Sequence, residues 1–124
     1  MPRILLLTTL TWIMPDAQAQ DSAVYPLGTL ITQLDSSAWL SFIRVSTLET
    51  GLYRLTPGAE DRQSPHDRDE VYYVIAGVAR VRIGDDEEPI GPSDTIFVRA
   101  NTEHRFVAIE EELLLPVFFS SADP

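Results

Sequence analysis

The chain contains no cysteine and no lysine, and only two histidines among its 124 residues. Without cysteine there is no thiol nucleophile, no zinc ribbon and no disulfide, so any exported form must be held by its core and by any metal it binds. Without lysine there is no Schiff-base chemistry. Basic residues are few, nine arginines against nineteen acidic residues, for a net charge of −10. Such a balance argues against nucleic acid or an anionic membrane surface as a partner and favours solubility. Long apolar runs are also lacking. The longest, residues 4–14, is too short to span a bilayer.

That run has the features of an export signal. Arg3 precedes it, Pro15 ends it, and Ala17-Gln18-Ala19 gives a small-x-small pattern that places cleavage before Gln20. The expectation is therefore a secretory signal over residues 1–19 and a single domain over 20–124, exported to the periplasm or beyond. If the run is not a signal, the protein is expected in the cytoplasm. Arg3 has no arginine neighbour, so a twin-arginine route is not indicated. Removal of residues 1–19 takes away Arg3 and Asp16 and leaves the net charge unchanged.

The remainder reads as short strands separated by turn residues, an all-β sandwich or barrel. Residues 38–46 and 50–55 alternate as strands, and Thr56-Pro57-Gly58 is a turn signal. Residues 70–75 are aromatic and β-branched, the strongest strand in the chain, with Gly77 expected to turn it. Residues 79–83 alternate strictly, with Arg80 and Arg82 on one face. Residues 84–89 read as an acidic hairpin tip, and 95–98 and 105–109 as further strands. Glu110-Glu111-Glu112 reads as a surface turn. Residues 113–119 are apolar on both faces and are expected to be buried on both. Residues 27–34 fit a short helix or a strand.

His66 and His104 draw attention because Glu70 lies near the first. Histidine and carboxylate together suit Zn, Fe or Mn. On a straight strand the four steps from His66 to Glu70 would cover ~13 Å, too far to share an ion. Pro65 and the β-branched and aromatic residues after Glu70 disfavour a helix. Convergence therefore requires a bend at Asp67-Arg68-Asp69. Glu70, Tyr72 and Val74 would then face one way, making Tyr72 a candidate proton donor or pocket wall.

The pattern resembles the cupin superfamily over roughly residues 51–119. Gly58, His66, Glu70 and Gly77 fall on positions of the first cupin motif, and Asp94 and His104 on positions of the second. The chain departs from the family at Ser64, where the first motif has a histidine. It departs again at Ser93 and Asn101, where the second has glycines, at Arg99, where it has proline, and at Ala108, where it has asparagine. The resemblance implies a cupin-type jelly-roll barrel, one divalent transition metal (Fe, Mn or Zn) held by His66, Glu70 and His104, a small-molecule substrate and a homodimer. Gln63, Ser64 and Asp61 are candidates for the missing fourth ligand, with Gln63 preferred for its carbonyl oxygen.

Two histidines and one carboxylate form the ligand set of open Fe(II) sites. A metal-dependent oxygenase acting on a small organic substrate is accordingly the first expectation. A non-catalytic binding or sensing module and a sugar or enol isomerase or lyase are the alternatives. Tyr53, Tyr72, Phe106 and Phe118 are expected to wall the pocket. Of Arg54, Arg80, Arg82, Arg99 and Arg105, Arg54 is the candidate clamp for a substrate carboxylate.

Overall fold

A computed structural model describes residues 20–120; the expected signal segment lies outside the described residues. Its elements run α1 (Leu27–Leu34), β1 (Trp39–Val45), β2 (Leu48–Leu55), β3 (Glu70–Tyr73), β4 (Ala76–Ile83), β5 (Asp86–Ile90), β6 (Thr95–Val98) and β7 (His104–Ser120). All seven strands belong to one antiparallel sheet rolled about an apolar interior, in the order β1-β2-β7-β3-β6 with the β4–β5 hairpin joined to β7. This is the all-β roll that the sequence resemblance implies. No helix among the described residues is long and apolar enough to cross a membrane.

The roll depends on β7. Its first half pairs with β4, from His104 opposite Ile83 to Leu114 opposite Ala76. Its second half lies between β2 and β3, with Val117 opposite both Gly51 and Tyr72. Period-2 alternation turns Leu113, Leu115, Val117 and Phe119 inward, where they are buried with Leu55, Tyr72, Val74, Val81, Val98 and Phe106. The outward residues of this stretch correct the expectation of burial on both faces. Leu114 is covered by α1, but Phe118 is 41% exposed.

Residues 27–34 form a helix. Leu27, Leu30, Ile31 and Leu34 recur at helical spacing, and Leu30 and Leu34 are buried against Leu52, with Leu40, Phe42 and Leu114 around them. The helix ends at Asp35, whose φ is +50°. The Arg54 guanidinium donates to the carbonyls of Asp35 and Ser37 just past that end. Arg54 is thus a cap for the chain reversal after α1, where the expectation was a clamp for a substrate carboxylate.

Three turn expectations also fall elsewhere. The break after β3 comes at Val74 and Ile75, and Gly77 already lies within β4 at an irregularity in the β4–β7 register. Glycine is required there because φ is +104° and a Cβ would lie 2.4 Å from the Glu112 carbonyl oxygen. Glu110, Glu111 and Glu112 are exposed, but they continue β7 and make no turn. The acidic stretch 84–89 is mostly strand β5, with only Gly84 and Asp85 turning; Glu87 sits opposite Arg82 and pairs with both Arg80 and Arg82.

Candidate metal centre and its pocket

Glu70 opens β3, and the alternation of that strand buries Glu70 and Tyr72 on the inner face. His104 opens β7 and is 2% exposed. His66 precedes β3 in a loop without regular structure, and the chain bends at Asp67 and Arg68, as convergence requires. The bend is clamped from both sides. Asn101 N–H donates to the His66 carbonyl (2.6 Å), and Ala100 N–H donates to the Asp69 carboxylate (2.8 Å). Ser120 N–H donates to the Asp69 carbonyl (3.0 Å). The loop before β3, the loop before β7 and the end of β7 therefore hold one another in place.

These clamps bring His66, Glu70 and His104 together, with ligand atoms within 4.8 Å of one another. His66 Nε2 lies 3.4 Å from Glu70 Oε1, and His104 Nε2 lies 3.5 Å from Glu70 Oε2. Adjacent ligands on an ion with bonds of about 2.1 Å are spaced at roughly 3.0–3.4 Å, so each histidine already lies near ligand spacing from a Glu70 oxygen. His104 Nδ1 lies 2.8 Å from the Thr102 carbonyl, which accepts the ring N–H on that side and turns Nε2 toward Glu70.

The hydrogen bonds inside the cluster are unbalanced. The Tyr72 hydroxyl, with one proton, faces Glu70 Oε2, His104 Nε2 at 3.0 Å and Gln63 Oε1 at 3.2 Å. With His104 neutral and its Nδ1–H on the Thr102 carbonyl, acceptors outnumber donors, and such a centre gains from added positive charge, a proton on His104 included. Its titration behaviour agrees. Burial, followed by the hydrogen bond to Glu70, pushes the Tyr72 phenol well above its ordinary value, so it keeps its proton. Burial opposes charge on His104, but the Glu70 carboxylate, the Thr102 carbonyl and Asp61 outweigh it and raise the ring above the usual imidazole value. A nitrogen- and oxygen-rich set short of donors fits a divalent transition metal.

The three candidates for a fourth ligand separate clearly. Ser64 is exposed. Asp61 is buried, but both of its oxygens are taken. It accepts from the Tyr53 hydroxyl (2.8 Å), the Gln63 side-chain amide (2.6 Å) and the Phe106 N–H (2.8 Å). Asp61 is therefore a structural hub, correcting its candidacy as a ligand. Because Asp61 can only accept, it takes the NH2 end of Gln63 and leaves Oε1 facing Tyr72.

A cavity of about 310 Å³ reaches the cluster at His66, Tyr72 and Gln63, while Glu70 and His104 are buried behind them. Tyr53 and Tyr72 wall it as expected, together with Gln63 and His66. Phe106 does not; it is buried beneath, packed edge-on against Tyr72. Phe118 points outward, and its neighbour Phe119 takes the inner position. Sequence reasoning also missed Trp39, Glu49 and Arg68. Trp39 lies across Gly51, where a Cβ would come within 2.1 Å of the indole. Only period-2 alternation could have found Phe119; Trp39, Glu49 and Arg68 carry no local signal. Arg80 and Arg82 pair with Glu87, Arg105 lies 3.6 Å from Glu103, and Arg99 is exposed.

A family model of the cupin domain matches residues 51–118. The chain belongs to the cupin family. Among its relatives, an uncharacterized protein of Streptomyces coelicolor is 36% identical over 86 residues, covering 69% of this cupin and 82% of that protein. Among solved structures, an RmlC-like cupin from Shewanella frigidimarina superposes with a TM-score of 0.63 at 22% identity, over 72% of this chain and 82% of that one. A variant of salicylate 1,2-dioxygenase from Pseudoaminobacter salicylatoxidans superposes with a TM-score of 0.61 at 18% identity. That match covers 68% of this cupin but only 25% of the dioxygenase chain. At these identities the structural matches establish the fold alone.

Proposed function

We propose that this cupin binds one divalent transition metal, Fe, Mn or Zn, through His66, Glu70 and His104, with Gln63 Oε1 as a fourth ligand. The observation that carries the reading is the surplus of acceptor atoms around the single Tyr72 proton. The bound ion would supply Lewis acidity toward a carbonyl or enol, or redox chemistry with oxygen. The protein's own groups do the rest. The aromatic walls exclude water from one side of the substrate. Tyr72, protonated and beside the cluster, holds a proton where a substrate oxygen would arrive. On this reading the activity is that of a metal-dependent oxygenase acting on a small organic substrate. The open ligand set of a two-histidine, one-carboxylate site, with room for two further ligands, supports that class, and one protein of the same fold is a dioxygenase.

Metal analysis with the His104→Ala variant tests the site. The wild type is expected to hold one equivalent of metal and the variant sharply less; unchanged content would refute the assignment. Stoichiometric iron with oxygen uptake on phenols or diketones supports the oxygenase. Zinc, with thermal stabilisation by a small ligand and no turnover, favours a binding or sensing module. Turnover without oxygen favours an isomerase or lyase.

The same reading includes export, with Gln20 as the mature amino terminus, and a homodimer. Support for the dimer comes from an exposed apolar row on the outer face, where Phe118, Val71 and Phe97 lie opposite one another across β7, β3 and β6. Light scattering at micromolar concentration is expected to give the mass of two chains, and a monomer mass would refute it.

A further inference from the structure

We propose that Arg68 selects the substrate, and that the cavity takes a small organic acid whose carboxylate docks on this guanidinium. The inference rests on the reading above for the chemistry at the cavity floor, but recognition depends on a separate set of groups. The acid's flat apolar body would lie among Trp39, Tyr53 and Phe119.

Arg68 and Glu49 both line the cavity that reaches His66 and Tyr72, so either could in principle read a ligand's charge. Their hydrogen bonds decide between them. Both Glu49 oxygens are occupied, Oε1 by Arg68 Nη2 at 2.8 Å and Oε2 by the Ser41 hydroxyl at 3.0 Å. Burial alone would raise the Glu49 pKa, but Arg68 and Ser41 hold it below the usual carboxylate value, so it stays charged and committed to them. Arg68 keeps donors in reserve. Nη1 has no hydrogen-bond partner among the described residues, and Nε has only Asp67 at 3.9 Å. An incoming anion therefore meets unspent N–H groups, whereas an incoming cation meets a carboxylate already satisfied.

Arg68 is also pre-positioned. Its guanidinium carbon lies 4.5 Å from the centroid of Phe119, and the Glu49 bond fixes its rotation over that ring. Its side chain is 24% exposed, so a carboxylate bond there is partly sheltered from water. No other arginine among the described residues lines this cavity; Arg44, opposite Glu49 in the β1–β2 register, is exposed outside it.

The test is calorimetric binding, to zinc-incubated protein, of probes matched in shape that differ in charge. Benzoate is compared with benzamide, 3-phenylpropanoate with its amide, and benzylamine serves as the cation. Each acid is expected to bind roughly tenfold or more tightly than its amide. Arg68→Gln should erase that preference, and Arg68→Lys should keep part of it, because an ammonium preserves charge without the planar fork. Equal binding of acid and amide, a preference that survives Arg68→Gln, or tighter binding of benzylamine would overturn the proposal. The wild-type comparison stands even if Arg68→Gln fails to fold. Zinc content in the same samples separates the two readings. Protein that holds zinc yet ignores ligand charge refutes only the role of Arg68. Protein that prefers acids yet holds no zinc refutes only the metal centre.

Discussion

Removing the Tyr72 hydroxyl tests the electrostatic logic of the centre directly. In the metal-free protein this hydroxyl is the donor that Glu70 Oε2, Gln63 Oε1 and His104 Nε2 share. Tyr72→Phe leaves the ring packing against Phe106 in place and deletes only the donor. Glu70 is 1% exposed, so water cannot replace the lost bond. A hydrogen bond to a buried charged group is worth about 1.5–3 kcal/mol, which corresponds to roughly 6–24 °C of melting temperature in a domain of about a hundred residues. That is the loss expected in the presence of a chelator. With zinc the acceptors face a cation instead, and the phenol is no longer their principal partner. At one free zinc concentration the variant, whose acceptors have lost their proton, gains more from the ion than the wild type, and binding about four- to thirteen-fold tighter offsets half of the lost 1.5–3 kcal/mol. The gap between variant and wild type is therefore expected to shrink to less than half. Thermal melts followed by circular dichroism, with chelator and with zinc, give the four numbers needed. A gap of equal size in both conditions, or none with chelator, would show that the cluster is not short of positive charge.

Two glycines should behave differently on replacement by alanine. Gly77→Ala places a Cβ against backbone, 2.4 Å from the Glu112 oxygen, at a positive φ, and should cost about 3 kcal/mol or more in chemical denaturation. Gly51→Ala meets only the half-exposed indole of Trp39, which can swing away. Its stability should change little while the tryptophan emission shifts to the red and the cavity loses a wall. The Glu49–Arg68 pair gives a pH signature. Because the folded-state pKa of Glu49 is depressed, its stabilisation is complete above the unfolded value of about 4.3–4.5 and is lost as pH falls through the lower folded value. Acid melts below pH 4.5 should show a drop in the wild type that is smaller in Glu49→Gln.

Much of this architecture is written in local pattern. Thr95 to Val98 is a strand as read, and Glu70 and Tyr72 share an inner face because alternation demands it. The bend at Asp67 and Arg68 follows from the simple fact that a straight strand could not close on one ion. What escaped depends on neighbours distant along the chain. Gly77 looks like a turn glycine, but its role is set by the Glu112 carbonyl, 35 positions away. Arg54 and Arg68 are alike as letters. One meets the carbonyls ending α1 and the other meets Glu49 and Phe119, and only the rolled sheet distinguishes them. The departures from the cupin motif are instructive in the same way. Ser93, Asn101 and Ala108 replace glycine, glycine and asparagine, yet all three keep left-handed backbone, with φ of 74°, 63° and 49°. The fold holds these angles at Ser93 and Ala108 against a side-chain penalty of roughly 1–2 kcal/mol each, whereas Asn101 is of a type that tolerates the left-handed region.

Because β7 runs from His104 to Ser120 and borders β2, β3 and β4, it is both frame and final piece. A nascent chain that has not yet reached residue 104 lacks one imidazole of the cluster, the inner aromatic of the cavity and the partner for three earlier strands. The centre thus forms only once β7 has been made and has docked on those strands. Any ion it takes is therefore captured after this strand closes the roll, not by the earlier strands alone.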